Sequence, residues 1–169
     1  YENDEGPNTG GMGTYSDANH SLPFLRNTEI KMAHKINQET TNALMKEFGE
    51  GYKGVLYGGF MATKNGVKLI EYNARFGDPE AMNVLSILET DFLEICHGIA
   101  TETLDQIDVE FRNKATVCKY AVPEGYPDNP LKGEKISISQ IKDKDSLYYA
   151  SVDIKNENLV EAGSRTIAV

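Results

Sequence analysis

Gly54-Val55-Leu56-Tyr57-Gly58-Gly59-Phe60-Met61-Ala62-Thr63 and Val67-Lys68-Leu69-Ile70-Glu71-Tyr72-Asn73 flank the tripeptide Lys64-Asn65-Gly66. Both flanks alternate with a period of two and read as strands. Asn-Gly between apolar runs signals a hairpin, because both residues tolerate the left-handed conformation of a type I′ turn. Upstream the period is 3.6. Ile30, Ala33, Ile36, Thr40, Ala43, Leu44 and Phe48 recur at helical spacing, with Thr28 placed to cap the start and Gly49 to close the end. Downstream, Asp78 as N-cap and Pro79 at the first helical position predict a helix to about Leu88. A third helix from Thr90 would bury Phe92, Leu93, Cys96 and Ile99.

The signal changes again near residue 110. Ala100 to Lys114 is polar, and beyond it only short strands are expected: Ala115–Val122, Lys135–Ser139, Leu147–Ile154, Leu159–Glu161 and Arg165–Val169. The loop from Pro123 to Pro130 is too rich in proline for a central strand. The fold class is therefore α+β, with a helix-and-hairpin part followed by a mostly β part.

Composition narrows the function. Seventeen basic residues against 26 acidic give a net charge of −9. That surface repels nucleic acid and polyanionic membranes, while a metal ion or a few placed cations can still hold a small anion. No apolar run reaches the ~20 residues that cross a bilayer, and no signal peptide is visible. Cys96 and Cys118 lack metal-ligand spacing and read as buried free thiols, which suits a reducing cytoplasm. The three histidines are scattered, and no nucleophilic triad stands out.

Two stretches carry candidate chemistry. In Leu69-Ile70-Glu71-Tyr72-Asn73-Ala74-Arg75-Phe76-Gly77-Asp78-Pro79-Glu80, strand alternation places Glu71 and Asn73 on one face. A carboxylate and an amide oxygen are hard ligands suited to Mg²⁺. Arg75 would share that face if the chain stayed extended, and its guanidinium could grip a phosphoryl oxygen. The same three residues also fit a solvated face or a local ion pair. Asp78, Pro79 and Glu80 have an ordinary reading as a helix start. In the second stretch, Gly6-Pro7-Asn8-Thr9-Gly10-Gly11-Met12-Gly13, exposed backbone N–H groups could cradle an anion, with Thr9 adding a hydroxyl. No P-loop pattern is present, and on composition alone a tight structural turn is the better reading of those glycines.

Read together, the two stretches resemble one family. Asp4-Glu5-Gly6-Pro7-Asn8-Thr9-Gly10-Gly11-Met12-Gly13 resembles the DxGPNTGGMG signature of the phosphoribosylamine–glycine ligases, which are ATP-grasp enzymes. Ile70-Glu71-Tyr72-Asn73-Ala74-Arg75-Phe76-Gly77-Asp78-Pro79-Glu80 resembles their IE[FY]N[AC]RFGDPE. Ala115-Thr116-Val117-Cys118, Gly125-Tyr126-Pro127, Lys132-Gly133 and Ala162-Gly163-Ser164-Arg165 are similar, more loosely, to the family's β-rich C-terminal domain.

The resemblance implies residues 1–108 as the C-terminal half of an ATP-grasp domain and 109–169 as a β-rich C-terminal domain, truncated inside a strand. It implies ligation of glycine to 5-phosphoribosylamine with ATP, through a glycyl phosphate, giving glycinamide ribonucleotide, ADP and phosphate in purine synthesis. Glu71 and Asn73 would bind Mg²⁺ or Mn²⁺ bridging the ATP phosphates, and Arg75 would contact phosphoryl oxygens. Arg75 and Asp78 would be catalytic. Asp4, Asn8, Thr9, Gly10, Gly11, Met12, Gly13, Gly77, Pro79 and Glu80 would enclose substrate. The N-terminal part of such an enzyme would precede Tyr1, so this chain alone would be inactive.

Two departures stand out. Asp17-Ala18-Asn19-His20 replaces the SPAP of many relatives, and Gly59 stands where some place a metal-assisting glutamine. Another ATP-grasp carboxylate–amine ligase would share the acid-and-amide strand without the GPNTGGMG loop. A non-catalytic module of the same fold would be expected to lose Glu71, Asn73 or Arg75.

Overall fold

The computed structural model describes residue 3 and residues 5–169, so the expectation placed on Asp4 lies outside the described residues. The chain forms two compact units whose segments interleave in sequence. One comprises 16–77 and 84–116; the other comprises the residues up to 15 with 78–83 and 117–169. These units divide the chain differently from the expected split into 1–108 and 109–169. The glycine-rich segment and residues 78–83 belong with the β-rich part.

The first unit is built on a 22-residue helix, α1 (Asn27–Phe48), and the hairpin of β2 (Tyr57–Thr63) and β3 (Gly66–Asn73); β1 (Gly13–Ser16), apart from Ser16, belongs to the other unit. Helix α1 is capped by Arg26 rather than Thr28, because the Glu29 carboxylate reaches back to the Arg26 N–H at 2.8 Å. This is the backbone half of a capping box. Gly49 closes the helix in the left-handed region, φ 78°. The apolar stripe of α1 is only half-buried, and Ala43 and Phe48 on it are exposed.

The hairpin forms as expected, but its turn does not. Thr63 pairs with Gly66, and only Gly66, at φ 96°, takes a positive φ there. The turn is therefore not type I′. The Thr63 hydroxyl supports this alternative by accepting from the Asn65 N–H at 3.1 Å and donating to the Gly66 carbonyl at 2.7 Å. Left-handed conformation at both central residues occurs instead at Asn156 and Glu157, in the other unit.

Helix α2 (Glu80–Ser86) begins after Pro79, not at it, and the Asp78–Pro79 peptide is cis. Helix α3 (Phe92–Thr101) is capped by Asp91, whose carboxylate accepts from the Leu93 N–H at 2.8 Å. Thr90, the expected start, is occupied elsewhere: its hydroxyl accepts from the Glu110 N–H at 2.8 Å. Phe92, Leu93 and Cys96 are exposed, contrary to expectation. The helix packs instead through the buried Gly98, where an added Cβ would lie 2.5 Å from Ile107 Cδ1.

The second unit carries a four-stranded sheet in the order β1-β4-β8-β5, from β1 (Gly13–Ser16), β4 (Thr116–Ala121), β5 (Tyr148–Tyr149) and β8 (Ile167–Ala168). A separate antiparallel pair, β6 (Val152–Lys155) and β7 (Asn158–Glu161), turns at Asn156-Glu157. The expected strand at Leu147–Ile154 is split, because Ala150 and Ser151 turn their N–H groups to Thr166 and Arg165. The expected strand at Lys135–Ser139 is reduced to a bridge between Lys135 and Val160. The core is Cys118, Tyr120 and Ala168, with Met82 and Tyr148 packed against it. Cys118 and Tyr120 face inward by strand alternation. Both cysteines are free, and only Cys118 is buried.

Candidate functional site

On β3, one anchored side chain decides which face is presented. The Tyr72 hydroxyl donates to Asn37 Oδ1 at 3.1 Å and lies 3.0 Å from the Thr40 hydroxyl, so Tyr72 faces α1. Gly58, paired with Tyr72, allows that approach: an added Cβ would meet Asn37 Oδ1 at 2.8 Å and the Phe60 ring at 2.6 Å. Alternation then turns Glu71 and Asn73 to the opposite face. Their side chains lie together there, with Asn73 Nδ2 at 3.4 Å from Glu71 Oε1. Rotating the amide by half a turn would put its oxygen beside the carboxylate, and that orientation is fixed by the partner it meets.

The strand is interrupted just before this pair. Gly59 pairs with Glu71 and Phe60 with Leu69, leaving Ile70 as an extra residue. Such bulges re-aim neighbouring side chains and favour functional edges. Gly59 lies directly across from Glu71, and an added Cβ would stand 3.7 Å from Glu71 Cγ, an ordinary contact. Arg75 is not on the strand. The chain bends at Ala74-Arg75, and the exposed Arg75 guanidinium donates to the Phe76 carbonyl at 2.7 Å. The condition for Arg75 sharing the strand face is therefore not met. Among the described residues no group of three or more His, Cys, Asp or Glu could hold a metal. An oxygen pair completed by ligand and water is the kind of site Mg²⁺ uses, and Glu71 with Asn73 fits it.

In the β-rich unit, the Asp78 side chain is 44% exposed, yet both of its carboxylate oxygens have partners within the protein. Its Oδ1 accepts from the Tyr120 hydroxyl at 2.7 Å, and its Oδ2 pairs with Arg165 Nη2 at 2.8 Å. Arg165 Nη1 donates to the carbonyls of Gly11 at 2.8 Å and Asp78 at 3.1 Å. The guanidinium also lies 4.8 Å from the centre of the Tyr120 ring, within cation–π range. Burial, and then the Asp78 carboxylate that it donates to, push the Tyr120 phenol well above its ordinary pKa. Burial, reinforced by Asp78 and Glu80, raises the Cys118 thiol as well.

The glycines of the N-terminal loop are explained by this packing. An added Cβ would lie 2.9 Å from Arg165 Cζ at Gly10, 2.6 Å from Pro79 Cδ at Gly11, and 3.0 Å from the Cys118 carbonyl at Gly13. The Met12 carbonyl accepts from the Tyr120 N–H at 2.9 Å. Thus Gly10, Gly11, Met12, Gly13, Asp78 and Pro79 come together. Pro79 is fully buried, Gly77 is buried and Glu80 partly so, while Asn8 and Thr9 are exposed. Sequence reasoning missed Arg165 and Tyr120 as members. An arginine directly after the Gly163 turn, and a tyrosine alternating inward with Cys118, were the available signals.

A helix-backed antiparallel hairpin in one unit and a small β-rich sheet in the other make this an α+β protein. The family model for the phosphoribosylglycinamide synthetase ATP-grasp (A) domain matches residues 1–81, and that for the same synthetase's C domain matches 116–169. The chain is 57% identical to the phosphoribosylamine–glycine ligase of Methanocaldococcus jannaschii, over 99% of its length and 38% of the relative's. It is 54% identical to that of Methanosarcina acetivorans, over 100% of its length and again 38% of the relative's. A crystal structure of phosphoribosylamine–glycine ligase from Thermotoga maritima matches 98% of this chain and 40% of that one, at TM-score 0.78 and 30% identity. The chain belongs to the phosphoribosylglycinamide synthetase family. It spans about 38% of the length of these curated relatives. Among the described residues no helix is long and apolar enough to cross a membrane.

Proposed function

We propose that this chain serves, within a protein of its relatives' length, in the ATP-dependent ligation of glycine to 5-phosphoribosylamine. The products are glycinamide ribonucleotide, ADP and phosphate. The observation that carries this reading is the Glu71–Asn73 pair, held on the open face of a hairpin whose other face is pinned to α1 through Tyr72. Glycine's carboxylate is phosphorylated by ATP, and the amine then displaces phosphate from the acyl carbon. Glu71 and Asn73 hold Mg²⁺ or Mn²⁺, which neutralises developing phosphoryl charge when bound. Arg75, exposed in its bend, offers guanidinium donors to phosphoryl oxygens. Gly10 to Gly13 with Asp78 enclose glycine, and the free thiols suit a reducing cytoplasm. The relatives' names, the matched domains and the hard-oxygen donor set support the reading. The test is product formation from ATP, glycine and 5-phosphoribosylamine by the full-length protein. Robust turnover with a different acid in place of glycine, and none with glycine, would overturn it.

A further inference from the structure

The clamp around Asp78 leaves that carboxylate little freedom to act as a base. Both of its oxygens are engaged, one by the Tyr120 hydroxyl and one by Arg165. Arg165 meanwhile spans three acceptors on two separate segments: the Gly11 carbonyl, the Asp78 carbonyl and the Asp78 carboxylate. A guanidinium presents its donors in a rigid planar fork, which can bridge such a set; an ammonium is a compact point charge that cannot reproduce that span. The arginine is itself held, with its side chain only 19% exposed and its Cζ 4.8 Å from the centre of the Tyr120 ring. Gly10 and Gly11 are bare of Cβ where Arg165 and Pro79 press closest.

We propose that Arg165 is a positioning residue for the ligase reaction, fixing the Gly10–Gly13 loop and the Asp78 segment in one frame that shapes the glycine site. The proposal rests on the reading given under Proposed function and deepens it. Asp78 then acts through the frame, not as a proton carrier. A loosened frame misplaces glycine and leaves nucleotide binding alone. A merely structural role would instead lower the fraction of active enzyme, scaling kcat with every Michaelis constant unchanged.

The experiment is steady-state kinetics on the full-length protein, comparing wild type with Arg165→Met, Arg165→Lys and Tyr120→Phe. Arg165→Met should raise KM for glycine at least about tenfold while KM for ATP stays within about twofold. Arg165→Lys should not restore it. Tyr120→Phe removes a single hydroxyl, should stay folded, and should shift KM for glycine in the same direction by less. Amide hydrogen exchange across residues 10–13 is read in parallel and does not depend on turnover; it should quicken in Arg165→Met. Unchanged KM for glycine, or an equal rise in KM for ATP, overturns the positioning role, and unchanged exchange overturns the clamp. Absence of product from wild type would instead overturn the ligase reading, leaving exchange to judge the clamp.

Discussion

Glu71 and Asp78 are both exposed carboxylates in one short stretch of chain, yet their hydrogen bonding is opposite. The Glu71 carboxylate has one long contact, 3.4 Å to Asn73, and is otherwise exposed. The Asp78 carboxylate is engaged on both oxygens at 2.7 and 2.8 Å, and its own carbonyl is held too. A carboxylate without internal partners costs little to leave in water and is free to meet a cation. One that its own protein satisfies has its geometry fixed, and breaking that set leaves partners unpaired. The contrast separates an acid left open to a ligand from an acid held in a frame, which the motif alone presents as neighbours.

The largest effect that could break this contrast is on turnover. In the full-length enzyme, Glu71→Gln should lower kcat at least about a hundredfold, or ~2.7 kcal/mol, with the fold intact by circular dichroism. The shape is kept and only the charge offered to the metal is lost. Near-normal kcat with unchanged metal dependence would remove Glu71 from the site.

Next come the glycines on the two sides. Gly11→Ala drives a Cβ to within 2.6 Å of Pro79 Cδ and 2.9 Å of the Asp78 carbonyl, so something must shift. The expected cost is ~1–3 kcal/mol, as for other overpacked sites. Gly59→Ala, whose Cβ would make only ordinary contact with Glu71 at 3.7 Å, should stay within about 0.5 kcal/mol. Denaturant midpoints of both variants decide whether the frame is tight and the hairpin face open.

A smaller effect is pH dependence. The phenol of Tyr120 has a raised pKa in the folded protein, so above the ordinary phenol value, about 10, the folded state binds more protons than the unfolded. Stability is therefore fully present below about pH 10 and falls as pH rises through the folded value. The raised thiol of Cys118 acts in the same direction. Tyr120→Phe should flatten part of the alkaline loss in thermal unfolding.

Much of this was legible in sequence because local patterns carried it. The hairpin followed from two alternating runs about Lys64-Asn65-Gly66, and α1 from its apolar period and Gly49. The same-face placement of Glu71 and Asn73 followed from alternation, despite the bulge at Ile70, because the bulge precedes the pair. What failed depended on which partner each side chain meets. Thr28 lost the cap to Arg26 because Glu29 reaches back, and Thr90 lost it to Asp91 because its hydroxyl serves Glu110. Leu147–Ile154 reads as one strand, yet Thr166 and Arg165 claim its middle. Arg165 was visible only as part of a turn, since its partners Gly11 and Asp78 are 154 and 87 residues away. No local period encodes such a meeting.

The central claim is that Glu71 and Asn73 bind the metal–nucleotide while Asp78 is consumed by the frame. It is tested most directly by titrating ATP with Mn²⁺ into the full-length protein and reading heat of binding for wild type, Glu71→Gln and Asp78→Asn. The account predicts at least about tenfold weaker binding for Glu71→Gln and a change within about twofold for Asp78→Asn. Equal weakening in both, or weakening in Asp78→Asn alone, would contradict it.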